Sequence, residues 1–305
     1  MPGHTGSPRA EETEETPSIL QGRHQAPLRI DGPQDVKSAL DPEQIDLPAR
    51  PQPLVELSLL LAREQIDLAS AARVVEQDMA LAAAVLKSVN SPLYGLSVRV
   101  DSVQQALTYL GVRQIAAITF EMGLRAAFPP GPEMLAIWDR AARRGFIMSR
   151  LAQPLGLEPW AAHSAGLFEE CGKAVLFRHA QAHYRAMMRA ATDDAELCQL
   201  EQVGFGIGHD ALGAAMCEAW GLAPAAVACV RLHVQARAPQ GWPAHLPQPG
   251  LLGLSVIAHA MLHTPDQVAE VVGRVAVPAQ FDPAQALAAV RKVEDALAAG
   301  EDTRP

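Results

Sequence analysis

The stretch Asn90-Ser91-Pro92-Leu93-Tyr94-Gly95-Leu96 separates two helix-like segments of the sequence. Proline disfavours the helical conformation at the residue before it, so the preceding helix must end near this point. Asn90 and Ser91 carry short polar side chains that can bond to free backbone groups at helix ends. Tyr94 combines an apolar ring with a hydroxyl group, so it can cover a core and still bond outward. We interpret the stretch as a turn that determines the fold, with direct ligand contact by Asn90 or Tyr94 as the alternative.

Apolar residues recur at helical spacing on both sides of this turn. Leu81, Val85 and Val89 share one helix face before it, and Val103 and Leu107 begin another face after it. No alternating pattern of the kind typical of half-buried β-strands persists along the chain. The predicted fold class is therefore all-α, a bundle of many helices.

Capping residues and helix breakers divide this pattern into separate helices. Asp67 can cap a helix over 68–76, and Asp101 or Ser102 can cap the helix after the turn. Gly111 interrupts that later helix before its apolar pattern continues. The further predicted helices lie at about 133–152, 159–168, 172–191, 194–203, 209–220, 224–236 and 251–262, with two more that begin at Pro265-Asp266 and Asp282-Pro283.

Composition and charge disfavour several classes of protein. The 25 basic and 34 acidic residues give a formal charge of −9, which is unfavourable for a nucleic-acid regulator unless a local basic face exists. No uninterrupted apolar run approaches the ~20 residues of a membrane span, so we predict no membrane association. The four cysteines are scattered without a C-x-x-C motif, which is typical of reduced thiols in a cytosolic protein. We therefore predict a cytoplasmic location.

The turn and its neighbours together resemble the opening of the HDOD domain, a bacterial signalling module related to HD-domain metal phosphohydrolases. The resemblance rests on motifs that occur in order: Leu47-Pro48, Glu76-Gln77-Asp78, Asn90-Ser91-x-x-Tyr94-Gly95 and Ser102-Val103-x-x-Ala106-Leu107-x-x-Leu110-Gly111. His209-Asp210-x-x-Gly213, Trp220-Gly221-Leu222 and Arg231-Leu232-His233 follow the family's later histidine-containing stretch. The resemblance covers about Asp46 to Leu262 and implies an HD-like bundle in two helical lobes.

The chain is accordingly divided into three parts. Residues 1–45 carry an acidic cluster without apolar periodicity, and we predict a disordered leader there. The HDOD domain is assigned to 46–264, with an N-terminal lobe at about 46–128 and a degenerate HD-like lobe at about 133–264. C-terminal helices and a tail make up 265–305.

The resemblance also identifies where catalytic relatives would hold metal ions. Catalytic HD domains bind one or two metals with an early His, an adjacent His-Asp pair and a late Asp, and such metals activate water. Here the pair reads Glu169-Glu170, the early position holds Arg140 after Trp138, and the late position holds His259. Because a guanidinium cannot ligate a cation, we expect Arg140 to pair with Glu169 or Glu170 in the place of a metal. We predict no catalytic residue, no metal and no cofactor.

Other polar residues have a structural interpretation beside a functional one. His209 and His233 are expected to be a helix cap and a packed histidine, with a second metal shell or a phosphate site as the alternative. The i, i+4 pairs His259/His263 and His179/His183 are weak metal signals on their own. Arg143 and Arg144 next to Arg140 are interpreted as a solvated or salt-bridged face, with a phosphate site as the alternative. The candidate ligand- or partner-binding residues are Asn90, Tyr94, Arg140, Glu169, Glu170, His209, His233 and His259.

These observations favour a non-catalytic signalling and interaction module of HDOD type in a bacterial regulatory pathway, which acts by binding a partner or a small ligand. The implied partners are regulatory proteins of cyclic-dinucleotide or two-component signalling, with no membrane and no nucleic acid. The alternative is a divergent metal-dependent phosphohydrolase that acts on a nucleotide or cyclic dinucleotide. Its site would be rebuilt from Glu169, Glu170, His209, His233 and His259.

Overall fold

The computed structural model describes residues 45–61, 67–91 and 96–301, and within these ranges the regular structure is helical without strands. The predicted all-α fold class is thereby confirmed. The predicted leader, apart from its last residue, and Tyr94 lie outside the described residues. The α-helices are α1 (Gln52–Leu61), α2 (Leu68–Glu76), α3 (Met79–Val89), α4 (Val103–Ala126), α5 (Pro132–Ala152), α6 (Pro159–Phe168), α7 (Cys171–His179), α8 (Gln181–Ala190), α9 (Asp194–Phe205), α10 (His209–Ala219), α11 (Pro224–Arg237), α12 (Gly250–His263), α13 (Val268–Val275) and α14 (Pro283–Glu301).

Short polar side chains begin the N-terminal helices. The Asp67 carboxylate accepts two backbone N–H groups at 3.1 Å each and caps α2, as the sequence predicts. Asp78 caps α3 in the same way at 2.9 and 3.0 Å. Ser102, rather than Asp101, caps α4 through the backbone N–H of Gln105 at 3.1 Å. Each cap satisfies donors that the first turn of a helix leaves free.

The Asn90 side chain bonds to backbone groups on both sides of the turn over 90–96. Its amide nitrogen donates to the Leu86 carbonyl at 2.9 Å and to the Val100 carbonyl at 2.7 Å. Its amide oxygen accepts the Val100 N–H at 2.8 Å. The two donors and the oxygen of this amide are therefore engaged by backbone groups. These contacts favour the structural interpretation of Asn90.

Gly111 interrupts α4, as predicted. Its φ of +78° and ψ of 161° are not helical, so α4 consists of two helical pieces that meet at this residue. A Cβ atom added here would meet nothing within 4 Å. The requirement for glycine is therefore one of backbone conformation and not of space.

The single helix predicted over 172–191 is wrong. The structure ends α7 at His179 and begins α8 at Gln181, with Ala180 in a non-helical conformation at φ −142° and ψ 61°. No glycine or proline marks the break. The bend accompanies burial of Tyr184, whose hydroxyl donates to Glu201 at 2.6 Å, so packing between distant segments decides it.

Buried apolar residues form two clusters. The first combines residues of α1–α4 with residues of α5–α11, from Ile45 to Val230. The second combines α12, α13 and α14 with residues of α5, α6 and α11. Because α5, α6 and α11 contribute to both clusters, they connect the two cores. The division into two lobes on either side of 129–132 stays a prediction.

Two observations relate to the expectations about cysteines and membrane spans. Cys171, Cys198, Cys217 and Cys229 are all free thiols. Within the described residues, no helix combines the length and the apolarity that crossing a membrane would require.

Loss of the Asn90 amide is expected to destabilise the protein. Asn90→Ala removes three hydrogen bonds, each with a net value of about 0.5–1.5 kcal/mol, and should lower the free energy of unfolding by about 2–3 kcal/mol. Asn90→Asp should be no better, because a carboxylate would face two carbonyl oxygens. Urea denaturation measures both, with the exposed Lys87→Ala on the same helix as the control. An Asn90→Ala protein as stable as the control would contradict the structural role.

Candidate functional site

Two arginines one turn apart on α5 meet the Glu169-Glu170 pair. Arg140 donates to Glu170 Oε2 from Nη2 at 2.9 Å and from Nε at 3.2 Å, so the predicted pairing is present with Glu170. Arg144 is fully buried, and its Nη2 donates to Glu170 Oε1 at 2.7 Å. Arg144 Nε lies 3.0 Å from Glu169 Oε1 without the direction of a hydrogen bond, so we treat that contact as an ion pair.

The carboxylates lie between α6 and α7, and further helices supply their other partners. Ser255 on α12 donates to Glu169 Oε2 at 2.5 Å. Arg237, the last residue of α11, bonds to both Glu169 and Asp194. Lys173 Nζ lies 2.6 Å from Asp194 Oδ1 and 3.6 Å from Glu170 Oε2. We call these four cations and three carboxylates the charge cluster, which consists of Arg140, Arg144, Lys173, Arg237, Glu169, Glu170 and Asp194.

The charge cluster favours the charged forms of Glu170, Asp194 and Arg144. Burial alone would raise the pKa of Glu170, but Lys173, Arg144 and Arg140 outweigh it and hold that pKa well below 4.5. Asp194 behaves similarly: burial acts to raise its pKa, and Lys173 and Arg237 lower it further than burial raises it. Burial acts to lower the pKa of Arg144, yet Glu169 and Glu170 raise it above its usual value. The cluster is therefore a network of ions that compensate one another's desolvation.

This arrangement does not fit the metal ion of catalytic HD domains at Glu169 and Glu170. Those two carboxylates are surrounded by the cationic groups of Arg140, Arg144, Lys173 and Arg237. A divalent ion placed there would meet several like charges at short range. The space between the carboxylates is instead bridged by the guanidinium of Arg144.

His259, at the late position, lies on α12 one turn after Ser255. Its Nδ1 is buried and has no hydrogen-bond partner among the residues that the structure describes, and the centroids of its ring and the His263 ring are 4.5 Å apart. Burial first, and then the positive charges of Arg237 and His263, lower its pKa to about 3. His259 is therefore a neutral imidazole near the charge cluster at physiological pH.

A second polar group surrounds the carboxylate of Glu201 on α9. The backbone N–H of His209 donates to Glu201 Oε2 at 2.6 Å, and its ring Nδ1 lies 2.8 Å from the same oxygen. The Tyr184 hydroxyl donates to Glu201 Oε1 at 2.6 Å. His233 on α11 lies across from His209, with ring centroids 5.4 Å apart, and its Nδ1 is 2.6 Å from the Val230 carbonyl. We call His209, His233, Glu201 and Tyr184 the histidine cluster.

The candidate residues thus separate into groups. Arg140, Glu169 and Glu170 share the charge cluster, and His209 and His233 face each other in the histidine cluster. Asn90 makes its contacts at the end of α3, and Tyr94 lies outside the described residues. The expectation that the His209 side chain caps a helix is wrong, because the N-cap of α10 is Gly208 and the imidazole bonds to Glu201.

Sequence reasoning missed some residues of the site. The salt-bridged character expected of Arg144 is confirmed, but its side chain is fully buried and does not lie on an exposed face. Its position four residues after Arg140 places both on one helix face, which is the signal that could have identified it. Glu201 and Tyr184 had no sequence signal, since their contact with His209 depends on tertiary packing.

A family model described as the HDOD domain matches residues 47–236. The chain belongs to the HDOD domain family. An uncharacterized protein of Treponema pallidum is 25% identical over 195 residues, which are 62% of this chain and 37% of the relative. The match therefore spans little more than a third of that relative's length.

Solved structures with the same fold share few identical residues with this chain. A Geobacter sulfurreducens HDOD domain protein of unknown function matches with a TM-score of 0.65 and 19% identity, over 84% of this chain and 93% of its own. A protein titled "Putative phosphohydrolase" from Shewanella amazonensis matches with a TM-score of 0.64 and 19% identity, over 85% of this chain and 95% of its own. A "Putative signal transduction protein" from Marinobacter aquaeolei matches with a TM-score of 0.64 and 21% identity, over 85% of this chain and 60% of its own. At such identities these likenesses establish the fold.

Replacement of the buried Arg144 should destabilise the protein far more than replacement of the partly exposed Arg140. Arg144→Met leaves buried carboxylates undercompensated and should lower the free energy of unfolding by about 3–5 kcal/mol. Arg140→Met is the matched change one turn away, where the side chain is 35% exposed. Its cost should be about 1 kcal/mol, as for a solvent-screened ion pair. Urea denaturation of both variants tests this, and equal costs would contradict the assigned roles.

The charge cluster should make the protein sensitive to acid. The pKa of Glu170 is lower in the folded than in the unfolded protein, so its stabilising effect is complete above the unfolded value near 4.5 and is lost as the pH falls below it. We expect the urea midpoint to fall as the pH drops from 5 towards 3. Glu170→Gln, although less stable at pH 7, should show a shallower fall. An equal fall of the urea midpoint with pH in the wild type and in Glu170→Gln would exclude a contribution of Glu170 to the acid sensitivity.

Proposed function

We propose that this chain is a non-catalytic signalling module of HDOD type, which responds to an anionic small ligand or partner group. What supports the proposal is the charge cluster, and above all the buried guanidinium of Arg144 between Glu169 and Glu170. Ions that compensate one another in this way leave no carboxylate of the pair available to hold a water-activating metal. Membership in the HDOD family and the likeness to a protein titled as a signal transduction protein agree with this role.

Arg140 is the member of the charge cluster that a ligand can reach. About a third of its side chain is exposed, whereas Arg144 is fully buried. The cluster carries one more cation than it has carboxylates, although the whole chain has a charge of −9. A local positive surplus with an exposed guanidinium favours a phosphate or carboxylate group. The phosphates of a cyclic dinucleotide have this chemistry.

Ligand binding at Arg140 would be coupled to the interior through Glu170. An anion that binds the Arg140 guanidinium competes with Glu170, which would then depend on Arg144 and Lys173. Since Glu170 joins α6 to α7 and Arg140 lies on α5, the competition biases how these helices sit against each other. A signal needs such differential contact between two states of the protein.

The alternative, a divergent metal-dependent phosphohydrolase, is favoured by one observation. His209 and His233 each hold a buried Nε2 without a hydrogen-bond partner among the described residues. Imidazole nitrogens of this kind can bind metals, and a hydrolase would also need a metal-activated water within reach of a substrate. The alternative predicts turnover of a phosphodiester in the presence of Mn²⁺, Fe²⁺ or Zn²⁺.

Binding and turnover distinguish the two functions. We expect cyclic dinucleotides to bind in isothermal titration calorimetry and to remain intact after prolonged incubation with each metal. Arg140→Met should weaken binding about tenfold or more, since a charge-assisted hydrogen bond contributes about 1.5–3 kcal/mol. Arg99→Met removes another exposed arginine and serves as the matched control. Metal-dependent cleavage by the wild type would contradict the non-catalytic proposal, and equal binding by Arg140→Met would exclude Arg140 as the contact.

A further inference from the structure

Two helices that pack against each other, α5 and α12, extend from the charge cluster to the protein surface. On α5, Arg144 is fully buried and Arg140, one turn away, has 35% of its side chain exposed. On α12, Ser255 is fully buried where it donates to a carboxylate of the cluster, His259 is partly buried one turn later, and His263 is exposed after a further turn. Residues four apart lie on one side of an α-helix, so Arg140 and His263 both lie at the outer edge of the cluster.

The charges of the cluster act on His263, so its ring lies close to them. Burial first, and then the positive charge of Arg144, lowers the pKa of the His263 imidazole below its usual value, and Glu170, Arg237 and Arg140 also act on this pKa. Salt screens interactions between exposed charges beyond roughly 10 Å. The exposed histidine and the exposed arginine are therefore neighbours across the surface between α5 and α12.

Arg140 has one guanidinium nitrogen that remains available to a ligand. Its Nε and Nη2 atoms both donate to Glu170 Oε2. Its Nη1 makes no hydrogen bond to the residues that the structure describes. Because solvent screens a partly exposed charge, a single nitrogen of this kind binds an anion weakly. An anion site at Arg140 therefore needs a second donor.

His263 can supply this second donor. Its ring packs on the ring of His259, with centroids 4.5 Å apart and an angle of 34° between the planes, so the rings meet largely through their faces. The ring nitrogens lie at the edge of the imidazole, and neither makes a hydrogen bond within the described part of the chain. An imidazole has at least one N–H group whether it is neutral or charged. The contact with His259 restricts the ring and reduces the entropy that binding would cost.

The charge at this surface matches a ligand group with one negative charge. The charge cluster has one more cation than it has carboxylates. A single anionic charge would balance this surplus, whereas a second one would lie near Glu170 without a cation to compensate it. A phosphate monoester carries about 1.5–2 negative charges at neutral pH, because its second pKa is near 6. A phosphodiester has no second proton to lose and carries one.

We propose that a phosphodiester binds between Arg140 on α5 and His263 on α12. One non-bridging oxygen would accept from Arg140 Nη1 and the other from the edge of the His263 ring. This inference rests on the anion site of the proposed function, and it adds a second contact and the chemical class of the ligand. A group held by both residues links α5 to α12, the two helices that contact Glu170 and Glu169 from different sides.

The first test measures binding of cyclic di-GMP to the full-length protein by isothermal titration calorimetry. His263→Ala should weaken binding about tenfold, because it removes a hydrogen bond to a charged group. His263→Gln keeps an N–H donor and should retain most of the affinity, whereas His263→Glu places a carboxylate beside the phosphate and should weaken binding more than His263→Ala. His183→Ala removes another exposed histidine and should bind like the wild type.

Thermal melting shows whether weaker binding reflects a lost contact or a damaged fold. Because His263 is exposed and makes no hydrogen bond to the described residues, all three substitutions should leave the melting temperature unchanged. Equal affinities of the wild type, His263→Ala and His263→Glu would overturn the role of His263.

Dimethyl phosphate and methyl phosphate test the charge of the ligand without a base or a sugar. In protein labelled with ¹⁵N-histidine, dimethyl phosphate should shift the ring resonances of His263, which are identified by their absence from His263→Ala, and leave those of His183 in place. At pH 8 and constant ionic strength, methyl phosphate should bind about tenfold more weakly, since its second charge lies near Glu170. Tighter binding of methyl phosphate would overturn the phosphodiester assignment. So would His263 resonances that neither dimethyl phosphate nor cyclic di-GMP shifts.

The two sets of variants separate this inference from the anion site on which it rests. Weaker binding of cyclic di-GMP by Arg140→Met, with unchanged binding by His263→Ala, would leave the anion site in place and overturn the contact with His263. Unchanged binding by both variants, or no binding by the wild type, would overturn the anion site together with this contact. Weaker binding by both, with His263→Gln close to the wild type, is the expected result.

Discussion

The contact of Arg144 with Glu169 and Glu170 is the interaction on which the polar interior depends. A guanidinium and two carboxylates without solvent access are costly to bury, and only their mutual attraction and further hydrogen bonds offset that cost. The partners come from α5, from the junction of α6 and α7, and through Arg237 and Ser255 from α11 and α12. Because a missing partner leaves a buried charge uncompensated, these helices must assemble in one relative arrangement.

The same positions can support different chemistry on this fold. Imidazoles and carboxylates at the four HD positions hold a metal in catalytic relatives, whereas here arginine and glutamate hold each other. A metal could be accommodated only by displacing cations that the carboxylates already require. Next to this cluster lies the neutral imidazole of His233, because burial first, and then Arg237 and His209, lower its pKa well below 6.5. Charged and neutral polar groups therefore lie side by side, each stabilised by different partners.

Local sequence signals predicted the parts of the fold that local physics determines. Asp67 and Ser102 cap helices, and Gly111 interrupts one, because short side chains and free backbone dihedrals act on their own neighbourhood. The break at Ala180 was missed because burial of Tyr184 against Glu201 overrides the helical preference of the surrounding residues. The salt bridges of Arg144 agree with the prediction, but its full burial was not predicted, although it follows the buried residues Ile137 and Ala141 on the same helix face. Because Arg144 is charged, the apolar pattern of this helix face does not extend to position 144, and the sequence does not show that the position is buried.

The first apolar cluster has a consequence for how the chain acquires its structure. It includes Leu54 and Leu57 of α1 together with Cys217 and Val230 of α10 and α11, and the Trp220 indole donates to the Pro48 carbonyl at 2.8 Å. During synthesis, α10 and α11 leave the ribosome only after about half of the chain has followed α1. Contacts between such distant segments slow folding and prolong the exposure of apolar surface. We therefore expect the newly made N-terminal half to expose apolar surface until α10 and α11 have been synthesised.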